Sequence, residues 1–203
     1  MLNNEIGIMQ GRLLPKFRGR YQAHPLGYWH KEFTIAKNLG LSLIEFIFDY
    51  NDYQKNPLMS IEGRKEIISI SYKSNVKVKT VCADYFMINK LIDNNDKKKD
   101  HTIDVLIKLI KNCDEIGIDY IILPFVDESS LKNSNDEKFL CSIFKELETE
   151  LNKYNCSISI ESDLSPKKFS RFLEKLNSKK FSVNYDIGNS ASNGYDIKEE
   201  FNA

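Results

Sequence analysis

Two short runs, Ser157–Glu161 (SISIE) and Ser182–Asp186 (SVNYD), constrain this chain more than any other stretch. Both are too short and too rich in Ser, Ile and Val for a helix. Each ends on a single carboxylate and is followed by turn chemistry, Ser165-Pro166 after the first and Gly188-Asn189 after the second. A helical pattern lies between them, with Ser165 as N-cap, Pro166 at the first helical position and Phe169, Phe172, Leu173 and Leu176 on one face. Strand, helix and strand in this spacing make one β-α-β unit. The two strands are therefore expected to be parallel neighbours, with Glu161 and Asp186, 25 residues apart, at the same C-terminal edge. Two hard oxygen ligands converging at such an edge make a divalent-metal site. The plainer alternative is a solvated acid at the end of each strand.

The same alternation runs through the rest of the chain. Glu5–Gln10 reads as a first strand, and a loop rich in Arg and aromatic residues leads to a helix over about 29–39 that Gly40 ends. Leu41–Phe48 is a second strand, apolar except for Ser42 and Glu45, as expected where both sheet faces are covered. Ser60 caps a helix to about Asn75, and Val76–Val81 alternates as strand three. A helix over about 99–116 carries Ile103, Leu106, Ile107, Ile110 and Cys113 as its stripe. Asp119–Leu123 is strand four, and the helix after it carries Leu140, Ile143, Phe144, Leu147, Leu151 and Tyr154. Tyr195–Ala203 reads as the opening of a further helix. Such strict alternation implies an α/β fold with a parallel sheet and right-handed crossovers, either open and doubly wound or closing as a (β/α)₈ TIM-type barrel. No Gly-x-Gly-x-x-Gly follows the first strand and there is no P-loop, which counts against a nucleotide-binding open sheet. Polar residues at many strand ends (Gln10, Arg12, Glu45, Asp84, Glu161 and Asp186) favour the barrel.

Composition excludes several function classes. Lys plus Arg equals Asp plus Glu at 29 each, so no global field favours nucleic acid or an anionic membrane. No apolar run approaches the length of a membrane span, and no secretory signal is present. Cys82, Cys113, Cys141 and Cys156 lack C-x-x-C spacing and read as reduced thiols in a cytoplasmic setting. The three His residues, 24, 30 and 101, are not paired at metal spacing.

Four motifs carry a family resemblance: Gly7-Ile8-Met9-Gln10-Gly11-Arg12, Leu43-Ile44-Glu45-Phe46, Ser159-Ile160-Glu161 and, above all, Asn184-Tyr185-Asp186-Ile187-Gly188-Asn189. Together they resemble the xylose-isomerase-like TIM-barrel superfamily, in its sugar-phosphate isomerase/epimerase branch. The resemblance implies a metal-dependent isomerase or epimerase of a sugar or sugar phosphate. Such an enzyme abstracts a proton beside a carbonyl and passes through an enediolate. It also implies a divalent cation (Mn, Mg, Co or Zn) on a Glu ending strand five, an Asp ending strand six, a His on strand seven and a Glu on strand eight. The first two fall on Glu161 and Asp186; the last two have no counterpart. The resemblance therefore implies one domain over 1–203 with about six of eight strand-helix units, a complete barrel needing roughly 250 residues. It also implies edges that a homo-oligomer or another partner would cover.

On this reading Glu161 is both ligand and catalytic carboxylate, and Asp186 is a ligand. Glu45 is either a barrel-interior polar group or a contact to a substrate hydroxyl. Arg12 either meets a substrate phosphate or carboxylate or is a surface arginine. His24 and Trp29 wall a sugar ring or pack the loop. Cys82 and Asp84 line the pocket, and Asn189 fixes the turn after Asp186 or orients the ligands. Two other functions compete with this one. A phosphodiesterase resembling endonuclease IV would need a multi-His metal cluster and a basic face. A non-catalytic barrel remnant would need a partner to fold.

Overall fold

Period-two alternation in the strands sets the architecture. In β5 (Ser157–Ser162) Ile158 and Ile160 are fully buried, while Ser157, Ser159 and Glu161 take the other face. The computed structural model describes residues 5–93 and 95–202. Its six strands, β1 (Gly7–Met9), β2 (Leu43–Ile47), β3 (Lys77–Cys82), β4 (Tyr120–Phe125), β5 and β6 (Phe181–Val183), pair in parallel in the order 1-2-3-4-5-6. A doubly wound sheet reverses direction at a switch point, whereas a sheet whose spatial order equals its chain order winds one way and curls toward a barrel. This is the incomplete (β/α)₈ arrangement expected from the sequence.

Helices α1 (His30–Asn38), α2 (Ile61–Ser74), α3 (Tyr85–Ile88), α4 (Asp96–Glu115), α5 (Ser134–Leu151), α6 (Pro166–Leu176), α7 (Ile187–Ser192) and α8 (Ile197–Asn202) complete the chain. The main crossover helices cover the sheet's outer face, where Ile44, Phe46, Val81, Ile121, Leu123, Ile158 and Ile160 have no exposure. Ser60 caps α2 by accepting the Gly63 N–H at 3.0 Å. No described helix is long and apolar enough to cross a membrane. The four cysteines are free and buried.

Several elements differ from the sequence reading. The buried stripe of α4 is Val105, Leu106, Leu109, Ile110 and Cys113, with Ile103 and Ile107 only half-buried at its margin. Strand β4 runs on through Pro124 to Phe125. The Ile122 carbonyl takes the Ala83 N–H at 3.0 Å just beyond the end of the β3 ladder, so Pro124 has no β3 partner to lose. The short helix α3 has no periodic signal of its own. Strand β6 ends at Val183, three residues before Asp186. The helix expected over Tyr195–Ala203 forms as Ile197–Asn202, and Ala203 lies outside the described residues.

Candidate functional site

The C-terminal strand ends gather the acids. Register puts Ile160 opposite Val183, and the Asn184 N–H extends that ladder by donating to the Ile160 carbonyl at 2.9 Å. Glu161 and Asn184 therefore face each other across neighbouring strands on one face, and the Asn184 Nδ2 donates to Glu161 Oε2 at 2.8 Å. Asp186 follows in extended backbone (φ −98°, ψ 109°), so the expectation that it ends the strand is corrected. It is the N-cap of α7, its Oδ1 accepting the Asn189 N–H at 2.9 Å. That cap fixes the first turn of α7, and from it the Asn189 Nδ2 donates to Glu161 Oε1 at 2.7 Å. Each Glu161 oxygen is thus held by one amide. Gly188 leaves room for this fold-back, since a Cβ there would lie 3.0 Å from Asp186 Oδ1.

Burial is the main force pushing the Glu161 carboxyl from the ordinary 4.5 up to about 7, and the Asp186 charge adds to it. The two amides oppose the rise, and the Asp84 charge contributes to it. Asp84 is itself buried, raised by desolvation, and held by Gln22 Nε2 at 3.1 and 3.3 Å and by the Cys82 thiol at 3.2 Å. Glu45 is likewise raised by burial and accepts the Thr80 hydroxyl at 2.8 Å. It lines a cavity of about 300 Å³ on the inner face with Thr80, Ile122, Ser159, Ser182 and Asn184. Burial and its acidic neighbours push the Cys82 thiol well above its usual range, so it remains a thiol.

The loop from β1 to α1 crosses these strand ends. Arg20 pairs with the buried Asp49 just past β2 at 2.6 Å, Gln22 reaches Asp84, and exposed Arg12 meets Gln22 Oε1 at 3.4 Å. His24 and Trp29 are only 5% and 3% exposed. The Gln10 Oε1 accepts the Ile47 N–H at 3.1 Å and so takes the His24 Nδ1–H at 3.0 Å. Burial and neighbouring His30 push His24 down to about 3, so it stays neutral. The Trp29 indole stacks on His30 and packs edge-on against Phe33 and Phe46. Loop packing therefore accounts for both residues, and neither presents a face to a sugar ring.

The sequence reading quoted Asn184 in its strongest motif but gave it no role, and it missed Gln22, Asp49 and Glu32. Asn184 had a signal, because Ser182, Asn184 and Asp186 share one face at period two. The other three act through contacts far apart in sequence and left none.

Residues 33–203 match the family described as Xylose isomerase-like TIM barrel. The chain belongs to that family. Comparison with curated protein sequences finds no match. Among solved structures, the family member is similar to 3-keto-D-glucoside 4-epimerase, YcjR, from E. coli, with 13% identity and a TM-score of 0.72 over 98% of this chain and 74% of that one. It is similar to D-psicose 3-epimerase solved in the presence of D-fructose, with 11% identity and a TM-score of 0.67 over 92% and 64%. It is also similar to the IOLI protein with a binding zinc atom, with 14% identity and a TM-score of 0.61 over 84% and 61%. The chain thus spans about three fifths to three quarters of the length of these proteins.

The donor set bears on the metal. Among the described residues no group of three or more His, Cys, Asp and Glu side chains could hold an ion. Glu161 and Asp186 are in electrostatic range of each other, and each Glu161 oxygen keeps one lone pair beyond its amide. Two carboxylates supply hard oxygen donors of the kind a divalent cation takes, and the described residues add no third His, Cys, Asp or Glu to them.

Proposed function

We propose that this xylose isomerase-like chain is a sugar isomerase or epimerase in which Glu161 moves a proton on the carbon beside a carbonyl. The observation that carries the reading is the poise of Glu161: half-buried, aimed by two amides, with a carboxyl near 7 that can take and return a proton at neutral pH. Glu161 takes the C–H proton, and the bonding pair moves toward the carbonyl oxygen to give an enediolate. Return of the proton to the neighbouring carbon on the same face is isomerisation: Glu161 carries the carbon-bound proton, while the hydroxyl proton passes from one enediolate oxygen to the other. Epimerisation needs a second proton donor on the opposite face. The solved epimerases similar in fold support this reaction class for a substrate of sugar type. A divalent cation held by Glu161 and Asp186 would polarise the adjacent substrate oxygens. On this proposal Glu45 meets a substrate hydroxyl, Asp84 lines the pocket, and Asn184 and Asn189 orient the base. The reading places the protein in the cytoplasm.

The test is proton exchange. Aldoses and ketoses incubated with the protein in ²H₂O, with and without Mg²⁺ or Mn²⁺, should lose the signal of the hydrogen on the carbon beside the carbonyl. The reading fails if no sugar exchanges under any of these conditions. Calorimetric titration with the same cations should show binding that the double substitution Glu161→Gln, Asp186→Asn abolishes; unchanged binding would end the metal assignment.

Asp186→Asn separates charge from structure. Asn is an equally good N-cap, so α7 and the Asn189 contact remain. Loss of the negative neighbour should lower the Glu161 carboxyl from about 7 by an amount on the order of one pH unit. The rising limb of the pH–rate profile would then move to lower pH. A limb that stays in place would show that Asp186 does not act on Glu161.

A further inference from the structure

The site is acidic, with Glu45 inside the sheet's inner face, Glu161 near the end of β5, and Asp84 and Asp186 just past β3 and β6, yet one arginine on the loop beside it has no acid to answer. Arg18 pairs with Asp52 at 2.7 Å and Arg20 with Asp49 at 2.6 Å, while the Lys16 ammonium lies over the Tyr21 ring at 4.8 Å. Arg12 has no carboxylate partner among the described residues. Its one polar contact, Nη2 to Gln22 Oε1 at 3.4 Å, is long for a hydrogen bond and leaves most of its five donors free.

Its backbone, in contrast, is rigidly set. The N–H groups on either side, Gly11 and Leu13, both donate to the fully buried Glu32 carboxylate, at 2.8 and 3.0 Å. Gly11 sits at φ +88°, where a Cβ would lie 2.2 Å from the Tyr21 carbonyl oxygen, so the loop can close only on glycine. A buried carboxylate and an obligatory glycine thus fix a residue whose own side chain is exposed and almost uncommitted. The order across the mouth is Glu161, Asp84, Gln22, Arg12, each reaching the next by charge or hydrogen bond.

We propose that Arg12 binds an anionic group, a phosphate or a carboxylate, at the end of the sugar remote from Glu161, and so selects acidic sugars over neutral ones. This rests on the isomerase reading for the identity of the sugar but not for the existence of the oxyanion site. A guanidinium offers the planar fork that either oxyanion takes up in two parallel bonds. It is also uncommitted to any carboxylate among the described residues, on a rim whose acids would repel such a substrate. The Gln22 amide bridges the two, its Nε2 donating to Asp84 and its Oε1 accepting from Arg12.

The experiment compares D-fructose, its 6-phosphate and the corresponding uronate in the ²H₂O exchange assay, for the full chain and for Arg12→Gln and Arg12→Lys. Arg12 is exposed and makes one long contact, so both variants fold. The preference of the unsubstituted chain for one anionic sugar over the neutral one in kcat/KM should be at least about tenfold, the loss that one charge-assisted hydrogen bond represents. That ratio should collapse toward one in Arg12→Gln and recover partly in Arg12→Lys. Which anionic probe shows the preference distinguishes phosphate from carboxylate. Arg18→Gln, which removes a neutralised charge from the same loop, should leave the ratio where it was. If no sugar exchanges, the isomerase reading has failed, and direct titration with inorganic phosphate and with acetate decides the oxyanion site alone. A fall of about tenfold in affinity in Arg12→Gln sustains it. An unchanged affinity overturns the proposal, as does an anionic-to-neutral ratio that Arg12→Gln does not alter.

Discussion

Replacing Glu161 by Gln should slow exchange of the substrate's carbon-bound proton roughly 10²–10⁴-fold, the contribution of a positioned general base. The substitution keeps size and removes the group that carries the proton. It also leaves one side-chain oxygen to satisfy two amide donors, Asn184 and Asn189, so one of them loses its partner. The unsubstituted protein should show the cause in its pH dependence. The carboxyl must be ionised to act as a base, so the rate should climb as pH rises through about 7 and level off above it. Stability should run the other way. The folded-state value of about 7 lies above the ordinary 4.5, so the folded protein holds a proton that the unfolded chain has released. The stabilisation from that neutral carboxyl is complete below about 4.5 and is lost as pH rises through about 7. Discounted for a group that is only half-buried, it amounts to about 1–2 kcal/mol. Denaturation at pH 5 and pH 8 should show this decline in the unsubstituted chain and a flatter profile in Glu161→Gln. Exchange rates indifferent to the substitution, or a rate profile flat from pH 6 to 8, would remove Glu161 from the reaction.

What the sequence revealed and what it concealed follows from the range of the interactions. The strand-helix alternation was readable because each element carries its own period: SISIE shows its two faces within five residues, and α5 its stripe within eighteen. The parallel pairing of β5 and β6 followed from one crossover helix, and with it the meeting of Glu161 with the residues after β6. Where Asp186 sits was less readable. A strand ends where its neighbour stops offering partners, and the N-cap signal of Asp186 before Ile187-Gly188-Asn189 competed with the strand pattern of SVNYD. The loop between β1 and α1 was not legible at all. His24 and Trp29 have the side chains of a sugar-binding wall, yet they serve the core because Phe33 and Phe46 arrive beside them from α1 and β2. Gln22 finds Asp84 from 62 residues away, and Asp49 finds Arg20 from 29. Such pairings depend on how loops lie over a finished sheet, and no local pattern encodes that.

The second large effect is expected at Glu32. In the first turn of α1 it has no exposure, and its two oxygens accept the N–H groups of Gly11 and Leu13 at 2.8 and 3.0 Å. Burial pushes its carboxyl up and the two backbone donors pull it down. These hydrogen bonds, together with its place at the positive end of the helix, make a buried carboxylate tolerable here. Glu32→Ala leaves both N–H groups without an acceptor under the helix. At roughly 1–3 kcal/mol for each unsatisfied buried donor, together with the cavity left by the side chain, the loss should be about 3–5 kcal/mol. That is a large fraction of the roughly 5–15 kcal/mol that holds a typical domain together. Glu32→Gln keeps one acceptor but turns an amide donor toward the other N–H, so it should cost about half as much. Because the same two bonds fix the backbone around Arg12, both variants should also loosen the loop before they unfold the sheet. Hydrogen exchange should speed up at Gly11 and Leu13 in folded Glu32→Gln while amides in β4 and β5 stay protected. A loss below about 1 kcal/mol in Glu32→Ala, with protection at Gly11 and Leu13 intact, would mean that the loop is held by its ion pairs to Asp49 and Asp52 instead, and that the buried carboxylate does not anchor the rim of the site.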